Sequence, residues 1–277
     1  MGVVTNFVKT LKTDQDPASR TLVHNQSKQL RNQRSRAKDR STTVGSLLSC
    51  IKPYPQRSLL LGQCADALPF LIELGNPELG AILVSCEKGS GKTHQLQVMA
   101  ESATLLNTPS QLQIAVLTFK PDEWQTWQIS TERKKYLQGV FAWYDPRAEN
   151  ILQSLVDMAE ARREDQRLGA DVLLILDDLN FVEELSYEAQ LNLHWLLEYG
   201  SQSGIWLVGS INAHQALAFR YWVDPFRTRI IGRVKLMDHH EILAMQQGPG
   251  TEKFEPAMFR TWLDHAWCSY RLPLLGH

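Results

Sequence analysis

The sequence predicts an α/β architecture in which a mainly parallel sheet is flanked by helices. Three features carry that reading. Short apolar runs alternate with stretches of helical periodicity, the runs are four or five residues long as doubly covered strands require, and a glycine-rich turn joins the first run to the first amphipathic stretch.

The elements follow in chain order. Ala81-Ile82-Leu83-Val84 reads as the first buried strand, and Leu96, Met99, Ala100, Ala103 and Leu106 mark one face of the helix after it. Ile114-Ala115-Val116-Leu117 and Val140-Phe141-Ala142-Trp143 are the next two strands. Ile151, Leu152, Leu155, Met158 and Ala159 then line a second helix. Val172-Leu173-Leu174-Ile175-Leu176 and Ile205-Trp206-Leu207-Val208 are further strands, separated by a helix over Tyr187 to Tyr199 that Gly200 is expected to end. No internal repeat is visible.

Composition divides the chain in two, a basic arm over 1–43 and one domain over 44–277. The arm holds nine Lys/Arg against three Asp/Glu, whereas the remainder carries a net charge of -7 within an overall -1. Rich in Ser, Thr, Asn and Gln, the arm lacks the apolar surface to offset the entropy of ordering, so disorder is expected. Six basic residues between Lys28 and Arg40 either neutralise phosphates or serve as a solvated extension. A uniformly basic nucleic-acid coat is excluded by the acidic remainder.

Cys50, Cys64, Cys86 and Cys268 form no CxxC pair, which argues against a disulfide framework or zinc knuckle and points to the cytoplasm. No apolar run has the length of a membrane span, and no signal-peptide layout opens the chain, so no membrane insertion is expected. Asn6 stands where a myristoylation motif wants Ser or Thr. His239-His240 lacks helix-borne ligand spacing and His194, His214 and His265 are isolated, so no metal beyond nucleotide-bound Mg²⁺ is expected.

The chemistry lies between the first strand and the first helix. Cys86-Glu87-Lys88-Gly89-Ser90-Gly91-Lys92-Thr93 matches the phosphate-loop pattern G-x-x-x-x-G-K-[ST] except at its first position, where Cys86 replaces Gly. Glycines let successive backbone N–H groups converge on phosphate oxygens, and the helix amino terminus adds partial positive charge. Residues Cys86 to Thr93, with His94, are therefore the expected ATP-binding segment. Lys92 reaches the β- and γ-phosphates and Thr93 ligates Mg²⁺.

Leu173-Leu174-Ile175-Leu176-Asp177-Asp178 is an apolar strand ending in two acids, the form in which a carboxylate is presented to a metal. Asp177 is the expected metal-side carboxylate. Asp178 stands where a water-activating Glu often follows, and it is one methylene shorter. An Asp-Asp pair at a strand end also suits a helix cap. Trp124 and Trp127 are expected on a face packed against the core, with base stacking the alternative. Tyr54 between Pro53 and Pro55 is read as a rigid turn, not an adenine flank.

The order of phosphate loop, Leu-Ile-Leu-Asp-Asp, Ser203 to Asn212, then Arg227-Thr228-Arg229-Ile230-Ile231-Gly232-Arg233-Val234 resembles the FtsK/HerA superfamily of P-loop DNA-pumping ATPases. The resemblance spans residues 80–245 and implies a P-loop NTPase fold of the RecA/ASCE type, ATP hydrolysis, a homo-oligomer and DNA as partner. It implies that Asn212 is the polar sensor of the γ-phosphate and that Arg229 and Arg233 match later basic positions, Arg229 as a catalytic group. Ser201 departs from the family, which commonly carries Arg there; Arg227, Arg229 or Arg233 would have to substitute. Two other readings stay open: an AAA+-type ATPase that remodels or loads a protein, and a slowly hydrolysing recruitment switch.

Overall fold

A computed structural model describes residues 42–76, 78–164, 169–234, 257–263 and 266–276. Residues 1–41 of the basic arm, His239, His240 and His265 lie outside the described residues. In chain order the described elements are α1 (Val44–Leu48), β1 (Ser58–Cys64), β2 (Pro69–Glu73), β3 (Ala81–Cys86), α2 (Lys92–Leu106), β4 (Leu112–Thr118), α3 (Gln125–Ile129), α4 (Thr131–Lys134) and β5 (Leu137–Ala142). They continue with α5 (Pro146–Glu164), β6 (Asp171–Asp177), α6 (Tyr187–Tyr199), β7 (Ile205–Asn212), α7 (Arg220–Val223), β8 (Phe226–Ile231), β9 (Met258–Leu263) and β10 (Ala266–Arg271).

The strands form one sheet in the order β2-β1-β10-β9-β8-β3-β7-β6-β4-β5. From β8 to β5 every neighbouring pair is parallel, as the apolar runs predict. The carboxyl ends of β3, β4, β6 and β7 therefore open on one edge, and the segments leaving them meet there. The order also puts β7 between β3 and β6, so the end of β7 separates the phosphate loop from the acidic strand end.

Four more strands, β2, β1, β10 and β9, extend the sheet in antiparallel pairs and join the parallel block where β9 meets β8. The sequence reading did not anticipate this half. Strands β9 and β10 mix apolar and polar residues, as in Met258-Phe259-Arg260-Thr261-Trp262-Leu263, and the apolar runs of β1 and β2, Leu59-Leu60-Leu61 and Phe70-Leu71-Ile72, are shorter than those by which the parallel strands were identified.

Helices cover both faces of the sheet. Leu96, Met99, Ala100 and Ala103 of α2 pack with β1, β3, β9 and β10 on one face, joined by Trp124 and Trp127. On the other, Leu152, Leu155 and Ala159 of α5 and Leu193, Leu196 and Leu197 of α6 pack against β6, β7 and β8. Each fully buried Leu, Ile or Val contributes about 1.5–3 kcal/mol. Outside this, α1 caps its own first turn through Thr43 and Ser46 and lies on the outer face of α2. Trp124 and Trp127 are fully buried, so they belong to the core.

Helix α6 spans Tyr187–Tyr199 as the periodicity predicts, but Gly200 does not end it by a left-handed turn. Gly200 has right-handed φ and begins a 3-10 turn, and Gly204 supplies the left-handed residue. What demands glycine at 200 is crowding, because a Cβ there would stand 2.9 Å from the Ile205 carbonyl oxygen.

A buried polar link ties α2 to the antiparallel half. Gln95 donates through Nε2 to the Leu61 carbonyl at 3.1 Å and accepts from Tyr270 Oη at 3.0 Å, both residues being almost wholly buried. Tyr270→Phe strands the Gln95 oxygen and should cost about 1–3 kcal/mol. The expected result is a lower denaturant midpoint with an unchanged m-value. An unchanged midpoint would show that the link carries no stability.

Candidate functional site

The loop between β3 and α2 is shaped by two left-handed glycines. Gly89 has φ +78° and Gly91, the amino-terminal cap of α2, has φ +101°. A Cβ at Gly89 would meet nothing within 4 Å, so conformation and not space selects glycine there. Cys86 lies outside the left-handed region, so the one departure from the loop pattern imposes no backbone strain. Its thiol is buried and pushed up to about 11, chiefly by that burial, which keeps it neutral.

The segment after β8 braces the loop. Gly232 N donates to the Ser85 carbonyl at 2.8 Å and Glu87 N to the Arg233 carbonyl at 2.9 Å. A Cβ at Gly232 would stand 2.7 Å from Phe259 Cε1 and 2.8 Å from Cys86 Cβ, so this approach requires glycine. Lys88 and Gly89 are exposed, whereas Glu87 and Ser90 to His94 are half-buried. Lys92 and Thr93 open α2, where backbone N–H groups have no partner within the helix. His94 Nε2 donates to the Pro273 carbonyl at 2.8 Å, tying the first turn of α2 to the segment after β10.

Asp177 closes β6 and is buried. Its Oδ1 accepts from Thr93 Oγ1 at 3.2 Å and Ser210 Oγ at 3.3 Å, and its Oδ2 from Trp124 Nε1 at 3.1 Å and Thr118 Oγ1 at 3.5 Å. Trp143 Nε1 donates to the Asp177 carbonyl at 3.3 Å. Burial raises the pKa of the Asp177 carboxyl above the ordinary carboxylate value, opposed by the Trp124, Thr93 and Ser210 hydrogen bonds.

Asp178 follows with φ +73°, and its side chain accepts from Asn180 N at 3.3 Å as the cap of a 3-10 turn over Leu179–Glu184. The helix-cap reading of the acidic pair thus describes how the Asp178 side chain is engaged. Ser210 Oγ also accepts from Asp178 N at 2.9 Å, so one hydroxyl orients both acids. Burial raises the Asp178 carboxyl, while the Lys92 and Lys120 charges lower it.

Lys92 Nζ donates to Asn212 Oδ1 at 2.7 Å, with weaker contacts at 3.4 Å to the Cys86 and Glu87 carbonyls. Lys92, Thr93, Asp177 and Asn212 therefore converge from three elements. Arg229 does not join them. It pairs in register with Leu83, and its guanidinium is buried against the Val223 and Phe226 carbonyls, which leads it back along β8 away from the loop. Burial lowers its pKa. Arg233 is exposed and meets the loop through its backbone, and the stem of Arg227 covers Gly80. Tyr54 lies on the segment that Arg57 pins to Asn107, at the far end of α2.

The sequence reading missed Ser210, Thr118, Trp124, Trp143 and Gln215 as parts of this cluster. A signal existed for Ser210 and Thr118, polar residues at the carboxyl ends of otherwise apolar strands. The indoles come from a separate connection and a helix approach, and no spacing rule links them to Asp177.

No protein-family model and no curated protein sequence matches the chain. Among solved structures, the Thermomonospora curvata EccC (ATPases 2 and 3) in complex with a signal sequence peptide superposes with TM-score 0.63 at 15% identity, covering 80% of this chain and 41% of that one. EssC (ATPases 2 and 3) from Geobacillus thermodenitrificans gives TM-score 0.64 at 14% identity, with 78% and 44% covered. The pCW3 conjugation coupling protein TcpA, in a monomer form with ATPγS, gives TM-score 0.59 at 18% identity, with 80% and 68% covered. The chain spans less than half the length of the EccC and EssC structures. These neighbours are P-loop ATPases of the FtsK/HerA type, so the fold implied by the sequence resemblance is the fold found.

The raised Asp177 sets a stability test. A carboxyl whose folded pKa lies above its unfolded value costs the fold nothing below the unfolded value; the penalty grows as pH rises from there and is complete above the folded value. Asp177→Asn keeps an oxygen for Trp124 and turns an NH₂ to hydroxyls able to accept. The variant should melt higher than the parent at neutral pH, with the gain closing at about pH 4 and below, the range of an unperturbed Asp. An equal midpoint at neutral pH would show that the buried charge is fully compensated.

Proposed function

We propose that this chain binds ATP with Mg²⁺ and hydrolyses it as an oligomeric motor acting on DNA. The convergence of Lys92, Thr93, Asp177 and Asn212 at the carboxyl edge of the parallel strands carries the reading. Lys92 offsets the charge of the β- and γ-phosphates, and the backbone N–H groups of Lys88, Gly89 and Gly91 to Thr93 surround the phosphate chain. Thr93 Oγ1 and Asp177 Oδ1, 3.2 Å apart, are hard oxygen donors that would hold magnesium. When bound, magnesium would supply positive charge against that developing on the phosphate oxygens. Asn212 is assigned to sensing the terminal phosphate, and Asp178 to taking the proton of the attacking water.

Each residue from Cys86 to His94 is assigned to nucleotide binding, with Glu87 and Ser90 shaping the loop through their own backbone hydrogen bonds. Arg229 is assigned no catalytic part within its own subunit, given its burial. DNA as substrate rests on the sequence resemblance and on likeness to a conjugation coupling protein. A second reading, a polypeptide substrate, is favoured by comparable likeness to a secretion ATPase bound to a signal sequence peptide.

Lys92→Ala should weaken ATP binding roughly 10- to 100-fold, the equivalent of the about 1.5–3 kcal/mol carried by hydrogen bonds to charged groups, and turnover should fall to background. Calorimetric titration with MgATP and a phosphate-release assay read both, and unchanged values would overturn the ATPase reading. Duplex DNA should raise the parent's turnover, whereas stimulation by peptide alone would favour the second reading. If residues 28–40 grip DNA, their deletion should flatten the slope of log affinity against log salt by about 0.9 for each phosphate no longer neutralised. An unaltered slope would leave the arm as a solvated extension.

A further inference from the structure

Asn212 closes β7, and its side-chain amide is held from both ends. Oδ1 accepts from Lys92 Nζ at 2.7 Å, and Nδ2 donates to Gln215 Oε1 at 2.8 Å. An ammonium group only donates, so the amide turns its oxygen to Lys92 and its nitrogen to Gln215. Gln215 ends a 3-10 turn over Ala213–Gln215, whose flanking Ala213 and Ala216 are buried. The glutamine therefore reaches Asn212 from a turn anchored in the core.

We propose that Gln215 is the positioning residue for Asn212, holding its amide in place beside the terminal phosphate. The proposal rests on the ATPase reading above. While Lys92 touches Asn212, the ammonium selects the orientation. Once Lys92 turns to phosphate, that selection is withdrawn, and Gln215 is the remaining hydrogen-bond partner of this side chain among the described residues. Its Oε1 then holds the amide through the catalytic cycle. Because Gln215 does not touch nucleotide, its effect runs through Asn212 alone.

The test uses the full chain with Gln215→Ala, the volume-conserving Gln215→Met, Asn212→Ala and the double variant Gln215→Ala/Asn212→Ala. Thermal unfolding establishes that each is folded, and MgATP hydrolysis gives kcat and KM. Losing the acceptor should lower kcat roughly 10- to 100-fold, the scale of a misplaced group at a reacting centre, with KM little changed. In the Asn212→Ala background, Gln215→Ala should cost nothing further. Parental kcat in folded Gln215→Met overturns the proposal, as does a loss of equal size in both backgrounds, which would mark a structural role. Absence of MgATP turnover by the parent protein would instead overturn the ATPase reading, and the role of Gln215 with it.

Discussion

The arrangement at the carboxyl edge of the sheet depends on burying one carboxylate. An ionised Asp at the end of a strand covered on both faces is costly unless every lone pair meets a donor. Asp177 meets this demand with hydroxyls from α2, β4 and β7 and an indole from the connection after β4. Those contacts require the phosphate-loop helix, both neighbouring strands and the tryptophan-bearing turn to arrive at one point. Satisfying the acid therefore also sets the separation between Thr93 and Asp177, the feature on which metal binding would turn.

The antiparallel strands contribute rigidity where the parallel block alone would leave α2 held at its inner face. Gln95 is keyed to β1 and β10, and the residues after β10 run back along the helix. Pro273 bonds His94, Leu274 exchanges backbone hydrogen bonds with Thr42 and Val44, and Gly276 N donates to Glu101 Oε1. Arg133 completes this line by bonding Gly276 O and Glu101 while its guanidinium lies 5.1 Å from the Trp127 ring. Trp127 packs on Trp124, the donor to Asp177. One contiguous set of contacts thus runs from the outer end of α2 to the acid.

Conformational strain gathers at the same edge. Gly89, Gly91 and Asp178 all have positive φ, and Asp178 is the one of these that carries a side chain. A non-glycine residue in that region costs about 1–2 kcal/mol, here offset by the bond from Asp178 N to Ser210 and the cap on Asn180. Lys92 rests in a weaker setting, with one short hydrogen bond to Asn212 and two long ones to loop carbonyls. An ammonium so held can exchange those partners for phosphate oxygens without disturbing the core.

Local order was legible in the sequence because its causes are local. Apolar runs such as Val172 to Leu176 announce a doubly covered strand whatever surrounds them. Gly89 and Gly91 announce left-handed turns, and Lys92 and Thr93 follow from loop and helix start together. The antiparallel half was hidden because its strands carry residues such as Arg260, Thr261 and Ser269 within mixed patterns that many local structures share. Gly200 does stand at the end of the helix as read, but crowding from Ile205, a tertiary contact, and not a left-handed turn selects glycine there. The partners of Asp177 lie 33 to 84 residues away in sequence, and Arg229 was drawn from the loop by carbonyls that only folding puts beside it. Sequence by itself determined the parallel core and the chemistry of the loop, since periodicity and backbone conformation act over a few residues. Tertiary structure decided which donors surround the acid and which arginine stays away, because burying a charge is settled by whatever the whole fold brings within hydrogen-bonding distance.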